Sequence, residues 1–412
     1  MFLERSLVFI KRIEKCMLEL ILMLPLMIII DSIFKIDCKL PYIAFFILNV
    51  LIIVAGNKKN IVILFFTDLI ILTQFIYLKD MLDLNELMLY CDFILIIIYS
   101  VTNKGINLLK EILFQYKNAI YITCLIILLI FLFSFLSGTG WIYLWEGKQF
   151  IGVISFPHDA CYFFAGMQGY FIFFYFTLKK TSNKVICFAA NTIFFIFALL
   201  TNARTPFIVS AFLFLYFIYK VTYKKYMIIY FIITIPIGLL LIAILFNKIK
   251  IEFIYNLPII NKFFVTMSRG DITSSRDIMW ENILYIYDMS FTTFNKFIGK
   301  GTFFTQSINK VLTGNLLWAH NDFLEILVGI GYYGMALYIL AITFMIKKVK
   351  NIFWGIVLIL AAFFNGVFVY RKIIVFIPII VYVLTFQSNE NKKFINRKKE
   401  FYEKSNVFNS KP

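Results

Sequence analysis

Runs of about 17–20 apolar residues, parted by short polar connectors, recur along most of this chain. At ~1.5 Å of rise per residue, a helix of that length matches the ~30 Å hydrocarbon core of a bilayer. Strand-like alternation of apolar and polar positions is absent, which argues against a membrane β-barrel. Hydrophobic residues make up 61% of the 412 positions and charged residues 15%, against about 45–50% and about 25% in a soluble domain. A globular core could not hide that many Phe, Ile and Leu side chains. The expected fold is therefore all-α: a polytopic membrane protein whose main solvent is lipid.

The runs place about twelve spans, at roughly 17–36, 40–56, 61–79, 87–103, 119–136, 160–178, 185–201, 206–222, 226–246, 322–346, 351–369 and 372–387. This divides the chain into a membrane region over 1–246 with about nine spans and a long external loop over 247–321. A second membrane region over 322–387 has about three spans, and 388–412 forms a basic cytoplasmic tail. Orientation follows from the excess of Lys and Arg expected on the cytoplasmic side. With the first sixteen residues inside, the inside segments hold 25 of the 40 Lys and Arg, and the five short outside loops hold 7. The remaining 8 lie in the long loop, which the rule exempts because long loops cross regardless of charge. Both termini are expected to be cytoplasmic. The start of the chain lacks a small-residue cleavage site, so the first apolar run is expected to stay as a span.

The net charge of +17 is thus spread in short blocks between spans, which suits topology and not a nucleic-acid face. The six cysteines are scattered without CxxC spacing, so neither a disulfide framework nor a metal site is expected. Within the long loop, Ser274–Asp277 has the pattern of a helix start, followed by Trp280, Ile283, Leu284 and Tyr287 at helical spacing. A short interfacial helix is expected there, with Arg276 one turn before Trp280 on the same stripe and Gly299 and Gly301 marking a turn beyond it.

Chemistry at the outer face would fall to few residues. The chain has two histidines, His158 and His320, and both fall in expected outside loops beside a span. Arg204, Arg269, Arg276 and Arg371 are the outside arginines. A guanidinium offers phosphate a planar fork of donors and never deprotonates, while histidine supplies a base near neutrality. The plain alternative is that such arginines reach to headgroups and the histidines are incidental. Asp68 and Asp92, inside apolar runs, would instead suit a proton-coupled transporter.

The stretch LWAHNDFLEILVGIGYYGMALYIL, Leu317 to Leu340, is similar to the signature of the O-antigen ligase and O-antigen polymerase family. That signature is a His-Asn pair, then Leu-Glu, then Gly-x-x-Gly entering a span; here these are His320 and Asn321, Leu324 and Glu325, and Gly331 and Gly334. Upstream, SSRDIMWENIL carries a family-like Arg276 and Trp280, and FIGKG the intervening turn. LLTNARTPFIVS resembles the Ser-Arg-Thr motif, with Ala203 in place of the usual Ser, and QFIGVISFPHDACYFFA its Gly…Pro-Asn segment, with His158 in place of Asn. The resemblance covers about 137–345.

The resemblance implies a glycosyltransferase of the bacterial plasma (inner) membrane, with its active site on the outer face. Its donor would be a glycan linked to undecaprenyl diphosphate, used without a nucleotide sugar, metal or other cofactor. His320, Arg276 and Arg204 would be catalytic: the arginines on the diphosphate, the histidine on the acceptor hydroxyl. Arg269, Asn321, Glu325, Trp280 and His158 would contact substrate. Partners would be the lipid-linked oligosaccharide, membrane lipid, and chain-length regulator and flippase proteins, with no nucleic acid. Polymerase, extending one lipid-linked repeat unit with another, is the favoured reading. A ligase, moving finished glycan to a lipid A core or other acceptor, stays open. So does a transporter or flippase of lipid-linked sugars, although the two halves of the chain show no internal repeat of the transporter kind.

Overall fold

The computed structural model describes residues 84–222 and 276–385, apart from Thr102, Trp145, Glu146, Val369, Arg371, Lys372, Ile374 and Val375. It also describes Leu24–Phe34 and shorter pieces between Arg12 and Asp83. The expected spans at 40–56 and 226–246, most of 61–79, the start of the long loop with Arg269, the tail from 388, Asp68 and Arg371 lie outside the described residues.

The described chain is helical. Helix α1 is Leu24–Phe34, α2 Leu84–Val101, α3 Asn103–Gln115 and α4 Lys117–Leu136. A hairpin of β1, Trp141–Leu144, and β2, Gly147–Phe150, follows. Then come α5 Pro157–Thr177, α6 Thr181–Leu200 and α7 Arg204–Thr222. After the gap in description stand α8 Arg276–Ser290, α9 Thr293–Ile298, α10 Phe304–Thr313, α11 Asp322–Gly329, α12 Gly331–Val349, α13 Ile352–Phe364 and a last helix, α14, over 377–385. Four of these, α4, α6, α7 and α12, are long and apolar enough to cross a membrane. The protein is a helical membrane protein; α4, α5, α6 and α7 end within a few residues of the runs at 119–136, 160–178, 185–201 and 206–222, whereas α3 lies in an expected connector.

Two expectations need correction, and the 137–159 connector adds an antiparallel hairpin that pairs Trp141 with Phe150 and Ile142 with Gln149. Aromatic and β-branched side chains favour that pairing, and Trp141 and Phe150 lean on Phe135 at ring distances of 5.5 and 5.3 Å. The described end of the long loop holds three helices, α8 to α10, in place of one. The run 322–346 is not one span. It breaks at Ile330 and Gly331, where Gly331 takes φ +79°, leaving an eight-residue helix ahead of the membrane-length α12.

Helix α5 runs through the middle of the bundle and is buried along nearly its whole length. Gly166 makes room for Phe376 just ahead of α14, where a Cβ would overlap the ring, while one at Gly169 would come into ordinary contact with Ile380 at 3.4 Å. Around it Phe131, Phe163, Phe164, Phe194 and Phe197 interlock, and Phe150 from the hairpin closes the cluster, 4.7 Å from Phe197. Aromatic pairs at such spacings add about 0.5–1.5 kcal/mol each beyond area burial. The core thus fixes the end of the bundle where α5 and α7 begin and α4, α6 and α13 finish.

Candidate functional site

At that end α8 lies across the last turn of α13. Arg276 donates from Nη1 to the Phe364 carbonyl and from Nη2 to Asn365 Oδ1 at 3.2 Å. Orphan carbonyls and the negative end of the helix dipole make a helix C-terminus a natural seat for a guanidinium. Trp280, one turn on, packs its ring 5.3 Å from Phe363 and donates its indole N–H to the Ala319 carbonyl at 2.7 Å.

Ala319 is held from its other side as well, its amide donating to Glu325 Oε2 at 2.8 Å. Asn321 Oδ1 accepts from the amides of Phe323 and Leu324 at 3.0 and 3.2 Å and so caps α11. Between these two anchored residues His320 takes φ +52°. A non-glycine residue there costs of the order of 1 kcal/mol or more, and the flanking bonds hold it in place. Its half-buried ring has Nδ1 buried without a hydrogen-bond partner. Asp322 fixes the remaining side of the loop: Oδ2 accepts from the Tyr338 hydroxyl and from the Val367 and Phe368 amides, the last two at 2.8 and 3.3 Å.

The approach of α11 to the chain before α10 depends on glycine. The Lys300 and Gly301 amides donate to the carbonyls of Val328 and Gly329 at 2.9 and 3.0 Å. Gly299 and Gly331 both have positive φ, and a Cβ on either would overlap the opposite backbone. The side-chain amide of Gln74 bonds the Ile298 and Gly329 carbonyls at 3.2 and 3.1 Å and locks the crossing.

Tyr370, in the connector after α13, is where the other predicted residues meet. His158 stacks on its ring at 5.7 Å and 15°, and Phe156 stacks on the far face of His158 at 5.3 Å. Arg276 and Asn365 both lie within electrostatic reach of the Tyr370 hydroxyl. Arg204, first residue of α7, and His320 both lie within electrostatic reach of Arg276. Burial, and after it the Arg276 charge, push the His320 imidazole down to about 3. It is therefore neutral at physiological pH, beside the Arg276 cation, with Arg204 in turn within reach of Arg276.

The structure thus draws His158, Arg204, Arg276 and His320 together. It commits three other expected substrate contacts to internal bonds: Trp280 to Ala319, Glu325 to Ala319, and Asn321 to capping. Tyr370, Asn365 and Asp322 were missed in sequence. Tyr370 is one of 24 tyrosines, with no local signal to single it out. Among the described residues no group of three or more His, Cys, Asp and Glu side chains could hold a metal ion. No family model, curated protein or solved structure matches this chain.

Proposed function

We propose that this chain is a glycosyltransferase of the bacterial plasma membrane, with about twelve spans and both termini cytoplasmic. It would transfer a glycan from undecaprenyl diphosphate to a lipid-linked acceptor repeat unit on the outer face. The observation that carries the reading is the meeting of Arg204, Arg276 and His320 at one end of the helical bundle. In this reading the arginines hold the donor's diphosphate. The acceptor hydroxyl attacks the anomeric carbon, the bond from that carbon to the diphosphate breaks, and the leaving oxygen keeps the electron pair. Fixed donors aimed at developing charge are worth several kcal/mol in such a step. The hydroxyl proton passes to His320. An imidazole held near 3 is a weak base, but a diphosphate seated between the arginines offsets their charge and raises its basicity. Chain-length regulators and a flippase would be partners, supplying and measuring the lipid-linked substrate.

The size distribution of the cell's surface polysaccharide tests this, compared among wild type, a deletion, and His320→Ala. Single repeat units in both mutants support a polymerase with His320 in its site. Long chains stranded on the carrier lipid in both make the protein a ligase. A polysaccharide unchanged by deletion removes the proposal.

The transporter reading keeps one observation in its favour: Asp92 is 2% exposed within α2, and its Oδ1 has no hydrogen-bond partner. Unpaired buried carboxyls in membrane helices often serve transport. A transporter would fail on Asp92→Asn and tolerate His320→Ala, the reverse of the transferase expectation.

A further inference from the structure

Glu86 has no part in the transfer outlined above, yet it is buried beneath the loop that carries His320. It stands in the first turn of α2, and Glu325 stands in the first turn of α11; they are 3% and 4% exposed. Their carboxyls lie within hydrogen-bonding reach of each other. Glu86 Oε2 also accepts from the Gln306 side-chain amide at 3.1 Å. Glu325 Oε2 accepts the Ala319 amide at 2.8 Å, and its Oε1 receives no amide or hydroxyl of its own.

Ionised carboxylates only accept hydrogen bonds, so contact between two of them requires a proton on one. Like charges in one buried site cannot both ionise without large cost. The other charged groups facing the pair are acids, Asp83 beside Glu86 and Asp322 beside Glu325. Among the described residues no cation is therefore at hand to replace the proton. Each carboxyl accepts one amide, Gln306 on Glu86 and Ala319 on Glu325, so the amides balance, while Asp83 disfavours a charge on Glu86. That assigns the proton to Glu86.

We infer that Glu86 is a positioning residue: as a neutral carboxylic acid it donates to Glu325, which grips the Ala319 amide and so holds His320 in its left-handed conformation. No direct contact of Glu86 with substrate is involved. Its effect on polymer rests on the transferase reading, whereas its effect on the folded protein does not.

The sign of the pH effect follows from the shared proton. The folded protein keeps it to a higher pH than the unfolded chain does, whose two carboxyls are both ionised above about pH 5. Stability from the pair is full in acid and is lost as pH rises through the pair's upper titration. Gln at position 86 donates the same hydrogen bond and cannot ionise.

The test uses the full chain purified in nanodiscs, melted between pH 5 and 9 as wild type, Glu86→Gln and Glu86→Ala, with polysaccharide length measured in cells carrying each. Wild type is expected to lose melting temperature at the alkaline end while Glu86→Gln stays flat. Glu86→Gln should retain long polymer, and Glu86→Ala should lose it at least tenfold. Identical pH profiles for wild type and Glu86→Gln overturn the inference, as does a Gln variant as defective as the Ala variant. If deleting the chain leaves the polysaccharide unchanged, the transferase reading falls while the melting profiles still decide the role of Glu86.

Discussion

Single residues at the site owe their state to what surrounds them, and His320 shows it most directly. Its imidazole sits at about 3 in the folded protein because of burial first and Arg276 second, against ~6.5 in the unfolded chain. Between those values the unfolded chain binds a proton that the folded site refuses. Stability from this group therefore rises with pH across the window and falls away in acid, by at most about 2 kcal/mol at pH 5. The chain has two histidines, so selective ring labelling gives two signals. The one that vanishes in His320→Gln should keep its neutral shift from pH 8 down to 5; a midpoint near 6.5 would mean a solvated ring and a different base. Asn321 is expected to act as a cap: Asn321→Ser or Asn321→Asp should keep polymer, and Asn321→Ala should cost about 1 kcal/mol. If Ser and Asp abolish polymer without lowering the melting temperature, Asn321 meets substrate. His320, Arg204 and Arg276 were legible in sequence because charge near a bilayer is rare. Tyr370 was not, since nothing local separates it from tyrosines that merely anchor the interface.

Elements meet here through backbone, which is why composition misread one of them. The stretch 322–346 is apolar enough for a single span, and hydropathy does not register a turn that glycine makes possible inside it. Gly331, at φ +79° against the Phe297 carbonyl, is that turn. Gly331→Ala should therefore be far costlier than a helix-surface Gly→Ala change, because about 1–2 kcal/mol of left-handed strain is added to a backbone overlap. The expected result is little folded protein in the membrane, while Gly314→Ala, whose Cβ meets nothing within 4 Å, should accumulate with only the strain cost. Equal accumulation of the two would show that the crossing can shift. Trp280 tests the same joint from the other side. Trp280→Phe keeps the ring against Phe363 but strips the Ala319 carbonyl of its donor, at about 1–3 kcal/mol. Polymer length should fall more than protein level does, because the lost bond bears on the neighbour of His320. The helix start at Ser274–Asp277 and the apolar stripe through Trp280 were readable from spacing. What that stripe packs against was not, since its partners, Phe363 and Ala319, lie far along the chain.

The whole molecule has two unlike ends. At one, Lys117 donates to the Thr177 carbonyl at 2.7 Å, joining the start of α4 to the finish of α5. Lys179, Lys180 and Lys184 lie beside it in sequence, Lys117 feels the charge of Lys179, and Lys347, Lys348 and Lys350 close α12. At the other end α5 begins at Pro157, next to His158, α7 at Arg204 and α11 before α12, while α13 finishes at Phe364 with Asn365 as its cap. Alternating helix direction alone forces this segregation, and it makes orientation a single choice for the whole chain. The lysine end matches the cytoplasmic face, so the arginine–histidine end should meet the outside. Replacing Cys16 and Cys38 by Ser leaves Cys91, Cys124, Cys161 and Cys187, all buried. In that background Asn315→Cys, in the exposed turn between α10 and α11, should react with a membrane-impermeant maleimide in intact cells. Lys347→Cys should react only after permeabilisation. The reverse pattern would place Arg204, Arg276 and His320 in the cytoplasm, where a substrate delivered to the outer leaflet could not reach them. Labelling at both positions in intact cells would mean a mixed orientation and would undo the assignment of either face.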